Sequence, residues 1–285
     1  MMELILGHNQ FIGISHISDE RSREREKYFS DVKNIYNVVE KAAELGYRGM
    51  IIETLPRMLE FLKYYERNRT FDMELYLQFP YVQNYIQKMN ENGLLSLIQD
   101  IIHRSGLKNT SIIAVKNIVN LVKKDFFSLA VSFLELEIKP FMDLNIKAVL
   151  LHNVFTDVLL SLGISDCMKT YIDHVQYDMG LNPGFITLNF ELFQRNFEKW
   201  HMKPQLVMTP INPGGYDMNP SKAAVEVAIK KYRGEIIAMN ILGGGAFSVN
   251  IVHDYLTTLG DIKFCVVGAS SEKHLSELAD IFKNR

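Results

Sequence analysis

Apolar and β-branched runs of five or six residues recur along most of the chain, separated by longer stretches whose apolar positions return every three or four residues. Runs of the first kind fit strands buried on both faces, and the longer stretches fit amphipathic helices that cover them. Together they predict a parallel sheet wrapped by helices. Strand one is placed within residues 3–15, strand two at 48–54 and strand three at 73–79. A helix over 31–45 ends at Gly46, where a left-handed glycine stops the last turn. Strands four to eight follow at 147–152, 184–189, 205–209, 235–240 and 263–267, each leading into a helical segment, the last of which runs from Ser271 to the C-terminus. Eight such strands close a (β/α)8 TIM barrel; an open doubly wound sheet is the competing arrangement.

Residues 81–145 exceed a single crossover. A helix over 93–104 and a second carried by Ile112, Val115, Val119 and Val122 make a helical insertion between strands three and four, with 111–115 as an alternative short strand that would bring Lys116 to a strand end. No repeat, low-complexity tract or linker interrupts the chain, so one domain over 1–285 is expected.

The strand ends nominate a site, because barrel chemistry sits in the loops that follow them. The polar residues there are His8 and Asn9, Glu53, Gln78, His152 and Asn153, Asn189, Thr209 and Asn212, and Asn240. Glu53 and His152 are the acid/base candidates; His8, Asn9, Gln78, Asn153, Asn189, Thr209, Asn212 and Asn240 are the substrate-binding set. Strand seven runs into Gly243, Gly244 and Gly245, and strand eight into Gly268, Ser270 and Ser271 ahead of a helix. Glycine loops at these two strands, with a helix N-terminus, suit a phosphate: backbone N–H groups can approach an anion closely there. The same residues would serve as ordinary turns and an N-cap in a protein without a ligand. The charged stretch 19–27 reads as a solvated loop or a mobile lid, and Tyr216 as a surface aromatic or a proton donor. His8, Glu53 and His152 would form a two-imidazole, one-carboxylate metal site if they converge, although no tight ligand spacing marks one. His201, His253 and His274 read as structural. Lys147, at the start of its strand, belongs to the bottom of the barrel.

Charge narrows the partners. A net charge of −2 and a pI near 6.5 lack the broad basic excess of a nucleic-acid binder. No stretch reaches the ~18 apolar residues of a membrane span, and residues 1–8 lack the features of a secretory leader. Cys167 and Cys265 stand far apart, outside any C-x-x-C spacing, so a reducing cytoplasm is the expected compartment. The expected partner is a small, phosphorylated molecule. Oligomeric state leaves no signal.

From about Phe127 onward the chain resembles the aldo-keto reductases. The segment LNIKAVLLHN over 144–153 is similar to that family's strand-four segment, which ends in an active-site histidine, here His152. GFITLNF over 184–190 is similar to its strand-five motif, whose Asn, here Asn189, contacts the nicotinamide. IAMNILGGG over 237–245 and VGASSEKHL over 267–275 look like its two cofactor-phosphate loops. The resemblance implies a barrel that binds NADPH and reduces a carbonyl. The N-terminal half departs from it. Where the family has an Asp, then a Tyr about five residues on, then a Lys, this chain has Glu53, then Arg57 and Met58, then Gln78. The acid that protonates the carbonyl oxygen, and the group that tunes it, are therefore missing from their usual places.

Three functional readings follow. The first is an aldo-keto-reductase-like enzyme acting on a small polar molecule by acid/base chemistry through Glu53 and His152. The second is a lyase, aldolase or metal-assisted hydrolase of a phosphorylated or acidic substrate, with a divalent metal in its last form. The third is a non-catalytic ligand-binding barrel.

Overall fold

The short apolar runs are strands covered on both sides. Gly49–Glu53 and Pro183–Ile186 are buried along their whole length, as a sheet with helices outside and side chains inside requires. A computed structural model describes residues 2–13, 19–79, 131, 134, 135, 138–260, 262–269 and 271–284. In it eight parallel strands close into a barrel in sequential order, with the eighth pairing back onto the first. The strands are β1 Glu3–Leu6, β2 Gly49–Glu53, β3 Glu74–Phe79, β4 Ile146–Leu151, β5 Pro183–Ile186, β6 Leu206–Pro210, β7 Ile236–Met239 and β8 Phe264–Val267. The helices are α1 Asp19–Tyr28, α2 Val32–Glu44, α3 Pro56–Asn68, α4 Asn153–Leu162, α5 Ser165–Asp173, α6 Phe190–Lys199, α7 Lys222–Lys231, α8 Val249–Thr258 and α9 Glu272–Asn284. The open-sheet alternative is excluded by the β1–β8 pairing.

Two apolar layers hold this arrangement. Ile5, Ile51, Tyr76, Leu150, Ile186, Met208 and Ile237 fill the barrel interior. A larger cluster lies between strands and helices. The helices present one apolar stripe each. In α2, Ile35, Val38, Val39 and Ala42 are buried, Asp31 accepts the Lys33 N–H at 2.9 Å as N-cap, and Gly46 with φ 73° follows the last turn. In α6, Phe193 stacks on Phe197 at 4.0 Å and both pack on Phe185 of β5. Burial of side chains this size is worth roughly 1.5–3 kcal/mol each.

One expectation narrows, one changes and one falls outside the described residues. Strand one ends at Leu6, because the chain turns at once into a 3-10 segment, Asn9–Ile12, stopped by Gly13 with φ 77°. The charged stretch 19–27 is helix α1 and not a loop: Arg, Glu and Lys are good helix formers, and their charges are solvated equally well on a helix. The insertion expected over 82–145, with its two helices, the alternative strand at 111–115 and Lys116, falls largely outside the described residues; the segment rejoins β4 through a 3-10 turn, Lys139–Phe141.

Charge at the bottom of the barrel is paired. Glu74 accepts from Arg48 at 2.7 Å and from the Tyr76 hydroxyl at 2.9 Å, with Lys147 at 3.6 Å. Burial alone would raise the Glu74 pKa, but the Arg48 and Tyr76 hydrogen bonds and the two cations outweigh it and hold the carboxyl below its usual range. Lys147 is therefore a bottom-face residue, as its place in the strand predicts. Among the described residues no helix is long and apolar enough to cross a membrane.

Candidate functional site

Strand parity decides which polar residues reach the site. Ile51, Tyr76 and Leu150 point into the barrel, so Glu53, Gln78 and His152, two residues further on, rise from the same inner wall. Glu53 and Gln78 are register partners, and the His152 N–H donates to Phe79 O at 2.7 Å. In β6 the inward residue is Met208, which leaves Thr209 on the opposite face, 1% exposed beneath the helices. Thr209 is thus separated from the interior wall by its parity.

His8, Glu53 and His152 form one electrostatic group. His8 follows β1, and its Nε2 lies 3.3 Å from Glu53 Oε2, with both side chains buried. A carboxylate can only accept, so the proton of this bond sits on Nε2. His152 is the N-cap of α4, and its Nδ1 accepts the Val154 N–H at 3.2 Å. That bond fixes the neutral tautomer with hydrogen on Nε2. Burial lowers the His152 pKa, the nearby Glu53 carboxylate raises it and His8 lowers it further; the net shift is downward, which keeps the ring neutral. His8 and Glu53 are in contact and both act electrostatically on His152, but among the described residues no three His, Cys, Asp or Glu side chains are grouped to hold a metal ion.

Beside this group, between the ends of β7, β8 and β1, lies a cavity of about 320 Å³. His8, Asn9, Gln78, Asn240, Gly244, Gly245 and Gly268 of the expected set line it, with Gln10, which the sequence did not single out, Arg25 of the charged stretch, and His274, which was expected to be structural. Gly243, Gly244 and Gly245 all have positive φ, at 55°, 71° and 94°. A Cβ on Gly244 or Gly245 would meet nothing within 4 Å, so their backbone borders open space. Asn240 also has positive φ, 53°, and its amide donates to Asp217 at 3.2 Å, joining the loops after β6 and β7. Strain of this kind costs about 1–2 kcal/mol and collects at functional loops. Gln10 staples the barrel seam: its Nε2 donates to Gly7 O at 2.6 Å and Ala269 O at 3.0 Å, one carbonyl after β1 and one after β8.

Other expected residues have local work instead. Asn212 is fully buried; its amide donates to Tyr216 O and accepts the Tyr216 N–H, both at 2.8 Å, so it fixes the β6 loop. Asn189 caps α6 by accepting the Leu192 N–H, and Asn153 is the first residue of α4. Gly243 packs against Phe247. Ser271 accepts the His274 N–H at 3.4 Å at the start of α9, while Ser270 lies outside the described residues. His253 is buried against Phe282, as a structural histidine, whereas His274 lines the cavity.

No protein-family model and no curated protein sequence matches the chain. Solved structures do. One, assigned as an aldo-keto reductase from Pseudomonas aeruginosa, has a TM-score of 0.60 at 16% identity, over 98% of this chain and 88% of its own. The barrel resembles those of the aldo-keto reductases. A Bombyx mori aldo-keto reductase in complex with NADP gives a TM-score of 0.53 at 13% identity, over 99% of this chain and 84% of its own. In fold the likeness therefore spans nearly the whole chain, beyond the C-terminal half in which the motifs carry it. The residues at the family's tyrosine place are structural here: Arg57 donates to Phe11 O at 3.0 Å and Met58 is fully buried.

Proposed function

We propose that the protein is an aldo-keto-reductase-like enzyme that binds a phosphate-bearing ligand, NADPH first among candidates, and acts on a small polar molecule by acid/base chemistry. The observation that carries this reading is the shared cavity. The glycine backbone after β7 opens into it beside Gly268 of the β8 loop, Arg25 brings a cation to its wall, and His8, Gln78 and His274 stand on the same wall. The fit to a nucleotide rests on the open space beside Gly244 and Gly245, where a side chain would fill the place of an anion.

A bound nicotinamide would supply the hydride; the protein's own groups do the rest. Gly244, Gly245 and Gly268 would hold the phosphates with Arg25. His152, neutral and fixed with its hydrogen on Nε2, stands beside the cavity without forming its wall and is a donor suited to a carbonyl oxygen that reaches past His8. Glu53 is the carboxylate on the proton path, hydrogen-bonded to His8. The test is NADPH oxidation over a panel of aldehydes and ketones. The reading predicts turnover in the wild type and a loss of 100-fold or more in His152→Ala with NADPH binding retained. Wild-type protein that binds NADPH and oxidises it with none of the carbonyls refutes the reductase reading.

A second reading is favoured by Gln78 and Met58 standing where the family has its Lys and Tyr. In it the same cavity takes a phosphorylated substrate for a lyase or aldolase reaction, with no nicotinamide. Stabilisation by inorganic phosphate and not by NADPH would select it.

A further inference from the structure

Of the three residues in the electrostatic group beside the cavity, only one forms its wall. His8 lines it; Glu53 and His152 do not. His8 is 4% exposed, lies against Glu53, and shares the cavity wall with Gln10, Gln78 and Gly7. Its two ring nitrogens have different duties. Nε2 is committed to the Glu53 carboxylate, which leaves Nδ1 as the nitrogen that can exchange a proton with a bound molecule.

We propose that His8 is the catalytic residue that passes the proton between protein and substrate, and that Glu53 is a positioning residue behind it, fixing the ring's tautomer and orientation. This deepens the reading above and rests on it. It also supplies the acid that Arg57 and Met58 cannot. When an alkoxide develops on the substrate oxygen, the Nδ1–H bond of the His8 imidazolium breaks and an O–H bond forms on that oxygen. The neutral imidazole then takes a proton from water, and Glu53 remains a carboxylate throughout. In the reverse direction the same nitrogen, as a bare lone pair, accepts the hydroxyl proton. His152 is excluded from this step by its own hydrogen bond: its Nδ1 is occupied by Val154 N–H and its Nε2 already carries hydrogen, so the neutral ring donates a hydrogen bond but cannot take a proton there. The charged and titratable groups around His8 are Glu53 and His152, with Arg25 and His274 bordering the same cavity.

The test compares wild type, H8Q and E53Q. NADPH affinity is measured by calorimetry, and turnover by NADPH oxidation with 4-nitrobenzaldehyde. Ring nitrogens are read by NMR of uniformly labelled protein without ligand, the His8 signals being assigned through its own backbone. The expected result is NADPH affinity in H8Q within twofold of wild type and turnover at least 100-fold lower. In the ligand-free spectra, His8 carries its hydrogen on Nε2 in the wild type, and that signal moves in E53Q. Wild-type turnover in H8Q with nucleotide binding intact overturns this assignment alone. A neutral His8 ring with its hydrogen on Nδ1 and a bare Nε2, unmoved by E53Q, overturns it too, independently of whether H8Q folds. Absence of NADPH binding in the wild type overturns the underlying reading and this assignment with it.

Discussion

Gln10 is the residue whose removal should be felt at the site without touching its chemistry. It is 3% exposed, and its one amide nitrogen donates to Gly7 O at 2.6 Å and Ala269 O at 3.0 Å, where β1 and β8 close the barrel. Gln10→Met keeps the length of the side chain and removes both donors. A buried hydrogen bond is worth about 0.5–1.5 kcal/mol net, and a carbonyl left buried without its donor costs about 1–3 kcal/mol. Two carbonyls are affected, while the methionine recovers part of the loss by apolar burial, so a destabilisation of about 2–4 kcal/mol is expected. For a chain of this size that corresponds to a fall in Tm of roughly 4–10 °C. Thermal unfolding by circular dichroism measures it, with Asn9→Ala as control, since Asn9 is the exposed neighbour and should stay within ~0.5 kcal/mol. A shift for Gln10→Met no larger than that of the control would refute the staple, and with it the account of how the segments after β1 and β8 are held together across the seam.

Two further outcomes follow from the same geometry. Burial holds His152 neutral below its ordinary pKa of 6.5, so the unfolded chain binds its proton first as pH falls; the stability this group contributes is complete above about pH 6.5 and declines below it. The wild-type midpoint should therefore drop more between pH 7 and pH 5 than that of His152→Gln, and parallel curves would contradict the assignment. Asn212→Ala breaks both bonds to Tyr216 and should cost about 2–4 kcal/mol by denaturant titration; a change under ~0.5 kcal/mol would return Asn212 to the substrate-binding set.

The strands were legible because a parallel barrel buries each on both faces, and runs such as 49–53 and 146–151 have no other place to go. The glycine loops were legible for a related reason: few other residues adopt the φ values of 55° to 94° found at 243–245. What the sequence hides is which strand-end polar group faces inward. Thr209, Asn189 and Asn212 end strands as visibly as Gln78 does, yet parity turns the first away and local hydrogen bonds occupy the other two. The charged stretch 19–27 carries no apolar face, so periodicity had nothing to report, although the helix it forms brings Arg25 to the cavity. Gln10 and Arg25 come from consecutive elements near the start of the chain and His274 from the last helix, so closure of the barrel is what brings His274 to the other two.

The most direct test of the account is thermal unfolding with and without NADPH, with NADH, inorganic phosphate and EDTA in parallel. A ligand that binds the native state alone, at 100 times its Kd, stabilises by about 2.7 kcal/mol, which for this chain raises the Tm by several degrees. The account predicts a clear rise with NADPH and a smaller one with phosphate, both reduced when Gly244 is replaced by Val. No rise with either NADPH or phosphate would contradict the claim that the cavity between β7, β8 and β1 is built for a phosphate-bearing ligand.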